Sequence, residues 1–387
     1  MKIAKAINKL STENAFKVFQ RSIELEKTGK EIIHLSLGQP DFLTPRNIVD
    51  AAKKALDDGH HGYTPSNGIY ELRKEVANDA LRRFDCKINP ENILIVPGGK
   101  PIIFFSILMF AEPGAEIIYP DPGFPIYKSV IDYAGAKAIP LILKEKDNFE
   151  IDVDLMISLI NEKTRLIIIN NPNNPTGSFM KKNKIDKIAE ALEKFPQVAI
   201  LSDEIYSRLI FDKEEMPSFL KYSKLKDRLI VLDGFSKTFC MTGWRLGWGI
   251  WPDSLIENAN KLCVNDHSCA SSISQIAGIE AMRGSQNEVN KIAKAFEERR
   301  NVIYKRLNEI KNIKCFKPGG SFYAFANVSN TKMTGDEFAN KALEEFGIAV
   351  VSGTSFGKSV NDFVRFSYAN SLDNINKAMD ILSSMCD

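Results

Sequence analysis

The chain has 387 residues, of which 44% are hydrophobic and 26% charged, and its formal net charge at pH 7 is +2. A chain of this length can fold as two domains, each with its own core. The near-neutral charge, without any long Lys/Arg block, argues against the basic surface of a nucleic-acid-binding protein. The longest apolar run, residues 101–111, is too short to span a membrane.

The N-terminal sequence and the cysteines predict a cytoplasmic protein. Residues 1–5 lead into mixed polar sequence without the apolar stretch of a secretory signal. The six cysteines are scattered, which fits reduced thiols better than a disulfide framework. The four histidines, of which His60 and His61 are adjacent, give no metal-site pattern, so we expect no metal.

Short apolar runs alternate with helix-like segments through the middle of the chain. The predicted strands cover residues 92–96, 116–119, 165–170, 198–202 and 229–233. The predicted helices between them cover residues 99–110, 125–133 and 182–194. Continuous apolar runs are typical of parallel strands that are buried on both faces. The alternation therefore predicts an α/β domain with a mostly parallel sheet.

The pattern changes toward the C-terminus. A long, charged amphipathic helix is predicted over residues 288–311, and short strands follow, one of them at residues 363–367. We therefore predict a large domain formed by residues 46–285. A smaller α+β domain is predicted to combine residues 1–45 with residues 286–387.

Polar turns follow several of the predicted strands, and in open parallel sheets ligands bind beyond the carboxyl ends of the strands. Pro97-Gly98-Gly99-Lys100 opens a helix whose first N–H groups can cradle a phosphate. The turn at Asn174 contains two prolines and a glycine, so it can hold the Asn174 amide in one direction. Each of these turns also fits a plain surface turn.

Two charged residues stand among apolar neighbours. Asp203 ends an apolar run, where an acid is costly unless it has a charged partner. It can cap a following helix, or it can keep a pyridinium nitrogen protonated, with Tyr206 near the same strand end. Arg365, within a predicted strand, fits a bidentate carboxylate site and, equally, an outward-facing position on an edge strand.

Lys237 lies between the end of an apolar run and a Gly-bounded turn that contains Arg245. A lysine in such a place can be partly desolvated, which lowers its pKa and makes its amine nucleophilic. An amine of this kind forms Schiff bases with carbonyl compounds, above all with pyridoxal 5′-phosphate (PLP). Taken alone, Lys237 fits a solvated surface lysine better; the other strand-end residues favour a PLP site.

Together these segments resemble the fold-type I, PLP-dependent aminotransferases of class I/II, near the aspartate aminotransferases. The resemblance runs from Gly38-Gln39-Pro40-Asp41-Phe42 to Arg365 and includes Asp203-Glu204-Ile205-Tyr206 and Ser236-Lys237. It implies a large domain with a mostly parallel, seven-stranded sheet and PLP as the cofactor. It also implies a homodimer whose active sites lie at the subunit interface.

The resemblance further implies roles for the residues around the cofactor ring. Lys237 forms the Schiff base and, once released, moves a proton between the substrate Cα and the cofactor C4′. Asp203 pairs with the pyridine nitrogen, while Asn174 and Tyr206 hydrogen-bond the phenolic oxygen. Phe124 stacks on the ring, at a position where many members have Trp.

The remaining matching positions bind the cofactor phosphate or the substrate. The phosphate is held by Gly99, Lys100, Ser236 and Arg245, and by Tyr63 from the neighbouring subunit. The substrate α-carboxylate is bound by Arg365, with Gly38 close by. The implied reaction moves an amino group from an L-amino acid to a 2-oxo acid in a ping-pong sequence.

The amino donor is left open between two classes. In aspartate-type relatives, a lysine at the Lys100 position can bind the distal carboxylate, although a helix-start lysine without a substrate role fits equally well. Ala15 stands where those relatives have threonine, and Phe16 follows it, which favours an aromatic or other apolar donor. His267 fits either a partner-facing pocket residue or a structural one.

Two other functions compete with this interpretation. A PLP-dependent C–S (β-eliminating) lyase would share Lys237, Asp203 and Arg365, and no feature of the sequence excludes it. A PLP-sensing transcription regulator needs an N-terminal DNA-binding domain, whereas fewer than 40 residues precede Gly38. We therefore expect small-molecule substrates and a second copy of the chain as partners, without nucleic acid or membrane.

Overall fold

The computed structural model describes residues 1–386. The strands are β1 (Ile33–His34), β2 (Ile93–Val96), β3 (Glu116–Asp121), β4 (Lys137–Ile142), β5 (Thr164–Asn170), β6 (Ala199–Asp203), β7 (Leu229–Gly234), β8 (Gly247–Ile250), β9 (Lys314–Cys315), β10 (Tyr323–Asn327), β11 (Ile348–Ala349), β12 (Val351–Ser352) and β13 (Phe363–Ser367). The helices are α1 (Asn14–Lys27), α2 (Arg46–Asp57), α3 (Tyr70–Phe84), α4 (Lys100–Phe110), α5 (Ile126–Ala134), α6 (Val153–Leu159), α7 (Lys182–Glu193), α8 (Phe235–Thr238), α9 (Asp253–Asp266), α10 (Ser272–Arg283), α11 (Asn287–Glu309), α12 (Gly335–Glu344) and α13 (Leu372–Cys386).

A seven-stranded sheet forms the centre of the molecule, with the strand order β2-β8-β7-β6-β5-β3-β4. Neighbouring strands from β7 to β4 run parallel to one another. Strand β8 runs antiparallel to both of its neighbours, β2 and β7. The prediction of an α/β fold with a mostly parallel sheet is therefore confirmed.

The apolar runs form the centre of the sheet because helices cover both of its faces. On β5, Ile167 and Ile169 belong to one hydrophobic core, while Leu166 and Ile168 belong to the core on the opposite face. Alternate side chains of a strand point to opposite faces, so a strand between two cores needs apolar residues throughout. The first core includes Ile188 of α7, and the second includes residues of α4 and α5.

Smaller sheets lie outside the central one. Strands β12, β13, β10 and β9 form a four-stranded antiparallel sheet in that order. Strand β1 pairs in parallel with β11, so Ile33 lies opposite Ile348 and the N-terminal segment joins the C-terminal part of the chain. A third hydrophobic core contains Ile33, Phe296, Phe322 and Ile348. The predicted domain boundaries stay predictions.

The longest helix, α11, is charged and amphipathic, and it matches the helix that was predicted over residues 288–311 to within two residues. It packs against α13, and Phe296 and Ile303 on its buried face belong to the third core. Within residues 1–386, no helix combines the length and the apolar character needed to cross a membrane.

The carboxyl ends of three parallel strands coincide at one edge of the central sheet. Asn170 at the end of β5 pairs with Asp203 at the end of β6, and Asp203 pairs with Leu232 near the end of β7. The polar segments that follow these strands therefore start side by side. Helix α8, which carries Lys237, begins directly after β7.

Candidate active site

A cavity of about 510 Å³ lies at these strand ends. It brings together every site residue that the sequence predicts, apart from Tyr63 and from His267, whose role the sequence leaves open. The predicted residues in its lining are Phe16, Gly38, Gly99, Lys100, Phe124, Asn174, Asp203, Tyr206, Ser236, Lys237, Arg245 and Arg365. Residues from the start, the middle and the end of the chain thus share one pocket.

Lys237 points its amine into this cavity from α8. Its Nζ donates a hydrogen bond of 2.5 Å to the carbonyl oxygen of Gly38. Burial lowers the pKa of Lys237 to about 8, and the positive charges of Arg245 and Arg365 act in the same direction, while Glu13 opposes them. A lysine with this pKa carries a substantial fraction of neutral, nucleophilic amine near physiological pH. The interpretation of Lys237 as a solvated surface lysine is therefore wrong.

Asp203 is buried at the end of β6, with 4% of its surface exposed. Tyr127 Oη donates a hydrogen bond of 2.6 Å to Oδ2, and the Ile205 N–H donates one of 3.2 Å to Oδ1. Burial raises the pKa of Asp203 to about 6, although these hydrogen bonds and the charge of Lys237 lower it. The residues after Asp203 form a turn, so the alternative of a helix cap is wrong. The buried carboxyl group is suited to pair with a cationic ring nitrogen.

Arg365 lies on β13, which is flanked by β12 and β10, so the edge-strand alternative is wrong. Its Nη1 donates to Asn174 Oδ1 at 2.9 Å, and its Nη2 donates to the Ser36 carbonyl oxygen at 2.5 Å. Its guanidinium carbon lies 4.4 Å from the ring centroid of Tyr323. The Nε atom is buried and has no hydrogen-bond partner among residues 1–386. A buried arginine with an orphaned donor favours an anionic ligand in the cavity.

Two tyrosines line the cavity beside Arg365. The hydroxyl oxygens of Tyr206 and Tyr323 lie 3.1 Å apart. Burial raises the pKa of Tyr206 well above its ordinary value, and it also raises the pKa of Tyr323. Both hydroxyl groups are therefore protonated at neutral pH. A Cβ atom on Gly38 would lie only 2.0 Å from Tyr323 Oη, which explains why glycine occupies this wall.

The loop before α4 packs closely against Arg245. Gly98 has φ +77°, and a Cβ atom there would lie 2.2 Å from Arg245 Nη2. Arg245 Nη1 donates to the Thr242 carbonyl oxygen at 2.9 Å, which orients the guanidinium group. Gly99 caps α4, and Ser236 is buried in the first turn of α8. The free N–H groups at the start of α4 and the arginine together suit a phosphate.

Lys100 meets a carboxylate that sequence reasoning did not single out. Its amine forms an ion pair with Glu13, which precedes α1. The same amine lies 5.8 Å from the ring centroid of Phe124 and 6.0 Å from that of Phe16. The ring of Phe124 also packs edge-on against Tyr127, with 5.7 Å between centroids. Lys100 therefore faces an aromatic surface and a negative charge.

Two predicted positions lie outside this cavity. Tyr63 is 92% exposed and does not line it. His267 has its Nε2 atom 3.2 Å from Cys263 Sγ and its Nδ1 atom 2.7 Å from Asp266 Oδ2. Within one chain, His267 is thus engaged with its own helix, which fits the structural alternative.

Sequence reasoning missed Glu13, Tyr127 and Tyr323. A signal existed for Tyr127, because it follows Phe124 by three residues at the start of a predicted helix. Tyr323 starts a strand whose next residues are apolar, so its sequence context predicts a core residue rather than a site residue. Glu13 stands in a polar segment, where only the contact with Lys100 distinguishes it.

The sequence and the fold match one family of proteins. A model of the class I and II aminotransferases matches residues 30–382. The aspartate aminotransferase of Pyrococcus horikoshii is 36% identical over 380 residues, which cover 98% of this chain and 95% of that protein. An aromatic-amino-acid aminotransferase of Thermococcus litoralis is 35% identical, with 93% of each chain covered.

A solved structure agrees with this match. The crystal structure of the aspartate aminotransferase from Rhizobium meliloti superimposes with a TM-score of 0.95 at 28% identity, covering 100% of this chain and 99% of that one. Fold and site thus define an enzyme with the architecture of fold-type I transferases. The chain belongs to the class I and II aminotransferases and transfers amino groups.

Proposed function

We propose that this enzyme binds PLP through Lys237 and moves an amino group from an L-amino acid to a 2-oxo acid by a ping-pong mechanism. The observation that carries the proposal is the desolvated amine of Lys237, with its pKa lowered to about 8, in one cavity with Asp203 and Arg365. An amine, a buried acid and an arginine that is not neutralised by a carboxylate are the groups that PLP and an amino acid require.

The lining residues fit the parts of PLP one by one. The N–H groups at Gly99 and Lys100, together with Ser236 and Arg245, would hold the phosphate. Asp203 would keep the pyridine nitrogen protonated, and the hydroxyl of Tyr127 holds the carboxyl group in place. When it is bound, PLP supplies an electron-withdrawing ring that makes the substrate Cα–H acidic.

The hydrogen-bond donors and the aromatic side chain around the ring complete the site. The Tyr206 hydroxyl and the Asn174 amide would bind the phenolic oxygen. Arg365 fixes the Asn174 oxygen, which turns the amide NH₂ group to the other side. Phe124 would stack on the ring and help to exclude water from it.

Lys237 would also perform the proton transfer. Released from the cofactor, its neutral amine would take the proton from the substrate Cα as general base and deliver it to the cofactor C4′ as general acid. Arg365, whose Nε atom has no hydrogen-bond partner among residues 1–386, would hold the α-carboxylate near Gly38. Two-point fixation of the substrate sets the direction of the Cα–H bond toward Lys237.

Dicarboxylic and aromatic amino acids are the donor classes that we propose. Lys100 can attract the distal carboxylate of a dicarboxylic donor. The rings of Phe16 and Phe124, which lie near the Lys100 amine, can pack against an aromatic donor. Relatives at about one third identity include enzymes named for aspartate and for aromatic amino acids. The alternative of a C–S lyase would use the same Lys237, Asp203 and Arg365, and no observation favours it.

We further infer a cytoplasmic homodimer in which Tyr63 reaches the phosphate in the partner's site. The exposure of Tyr63 and its position outside its own cavity support this arrangement. The absence of disulfides among Cys86, Cys240, Cys263 and Cys315 is consistent with a reducing compartment.

Half-reactions test the proposed function. The enzyme is loaded with PLP and mixed with single amino acids in the absence of a 2-oxo acid. An aminotransferase loses the Schiff-base absorbance with a good donor, releases the matching 2-oxo acid, and regains the absorbance when 2-oxoglutarate is added. Continuous release of pyruvate and ammonia from cystathionine, without a 2-oxo acid, would instead establish a lyase.

A further inference from the structure

Glu13 stands at the N-cap of α1, but its side chain does not cap the helix. Its backbone is extended, with φ −75° and ψ 115°, and no cap hydrogen bond forms. A carboxylate in this position is ordinarily stabilised by the helix N–H groups and dipole. Glu13 instead turns into the cavity and pairs with Lys100. The side chain is thus committed to the active site rather than to its own helix.

The pair lies in surroundings that strengthen it. The Glu13 side chain is 15% exposed, whereas that of Lys100 is 44% exposed. The rings of Phe16 and Phe124 lie within about 6 Å of the Lys100 amine, so their faces can stabilise its positive charge. Asn14 Nδ2 donates to Ser355 Oγ at 3.1 Å, which ties the start of α1 to another wall of the cavity. This contact holds Glu13 beside Lys100.

The charges of the lining leave this pair without a role in binding PLP or the α-carboxylate. The basic residues are Lys100, Lys237, Arg245 and Arg365, and the acidic ones are Glu13 and Asp203. In the proposed function, Lys237, Arg245 and Asp203 serve the cofactor, and Arg365 serves the α-carboxylate. What remains is the Lys100 amine and the Glu13 carboxylate, at the place where the substrate side chain would enter.

Substrates with an uncharged side chain and substrates with a distal carboxylate interact differently with the ion pair of Lys100 and Glu13. An aromatic or aliphatic side chain leaves the ion pair intact and covers it. A distal carboxylate brings a second negative charge to a lysine that already has one, and the two carboxylates repel each other. A dicarboxylic substrate therefore binds Lys100 only when Glu13 gives way.

We propose that Glu13 determines donor specificity as an internal substitute for the distal carboxylate of a substrate. It neutralises Lys100 while an uncharged side chain occupies the pocket, and a dicarboxylic amino acid or 2-oxo acid must displace it. The inference rests on the proposed function and adds to it the residue that sets the balance between the two donor classes.

The test compares Glu13→Gln with the wild type, since glutamine keeps the size of the side chain and removes its charge. The ratio of kcat/KM for aspartate to that for phenylalanine should rise about tenfold, the scale of coupling between neighbouring sites. Succinate, a dicarboxylate that cannot react, should bind the PLP-loaded enzyme about tenfold more tightly in calorimetry. The matched control is Glu24→Gln, which removes an exposed carboxylate from the same helix.

Introducing Glu13→Gln into a Lys100→Met variant shows whether Glu13 acts on donor specificity by way of Lys100. In Lys100→Met there is no amine for the two carboxylates to compete for, so only their mutual repulsion is left. Replacing Glu13 by Gln should then raise the ratio and the affinity for succinate by much less than tenfold. A ratio that stays the same or falls in Glu13→Gln overturns the proposal, as does an increase of undiminished size in Lys100→Met. Failure of every donor to bleach the wild-type enzyme would refute the proposed function instead, and the succinate titration would still decide the role of Glu13.

Discussion

The lowered pKa of Lys237 has a consequence that can be measured. Burial moves this pKa from 10.5 to about 8, so the amine is mostly protonated below pH 8 and mostly neutral above it. Because only the neutral amine attacks an aldehyde, the rate at which PLP attaches to the apoprotein should rise with pH and level off above about 8. Stopped-flow absorbance at a series of pH values measures this midpoint. A midpoint near 10.5 would mean that Lys237 is solvated.

Individual site residues differ in how far the sequence could predict them. Lys237, Asp203 and Arg365 follow apolar runs or interrupt them, and charged residues in such places need a partner or a ligand. Glu13 gives no such signal, because it lies in a polar segment and meets Lys100 only in the folded chain. Contacts between distant segments depend on the packing of the N-terminal helix, which local patterns do not determine.

At the scale of elements, the loop before α4 tests the proposed phosphate site. Gly98→Ala adds a Cβ atom 2.2 Å from the Arg245 guanidinium, at a residue with φ +77°. Displacing Arg245 should weaken PLP binding about tenfold, as expected for the loss of a charge-assisted hydrogen bond. Spectroscopic titration of the apoprotein with PLP measures the dissociation constant.

Gly114→Ala separates this displacement from backbone strain. Gly114 also has a positive φ, +94°, but no atom lies within 4 Å of the added Cβ. Both variants should lose about 1 kcal/mol of unfolding free energy through strain, whereas only Gly98→Ala should bind PLP less tightly. Equal PLP affinities of the two variants would contradict the assignment of this loop.

The strands differ in how well the sequence predicted them, and burial and glycine content explain the difference. Residues 166–169 of strand β5 are all apolar because both faces of the strand are covered. Strand β4 lies at the edge of the sheet, and Leu141 is its one buried residue. Strand β8 is rich in glycine, since a Cβ at Gly247 would lie 2.8 Å from the Gly98 backbone. Apolar patterns therefore detect strands with apolar residues on both faces, and they miss edge strands and glycine-rich strands.

At the scale of the whole molecule, the proposed dimer makes each site depend on two chains. Lys237→Ala would inactivate a subunit's own site, while Tyr63→Ala would impair the site of its partner. A mixed dimer of the two variants has one site with both defects and one intact site. Refolding the variants together should therefore restore activity to roughly a quarter of the wild-type level, as random pairing predicts.

The two variants also serve as controls for each other. Each variant alone should have low activity at every concentration, and Lys237→Ala should have none. If mixing them restores nothing, although size-exclusion chromatography shows that mixed dimers form, Tyr63 does not act across the interface. Full activity of Tyr63→Ala alone would exclude it from the site altogether.

The attachment of PLP to Lys237 is the central claim, and chemical trapping tests it most directly. Borohydride reduces the Schiff base in the PLP-loaded enzyme to a stable secondary amine, and peptide mass spectrometry then locates the modified lysine. We predict the modification at Lys237 and its loss in Lys237→Ala, while Lys305→Ala, on the exposed side of α11, keeps it. Modification at another lysine such as Lys100, or trapping that persists in Lys237→Ala, would contradict the account.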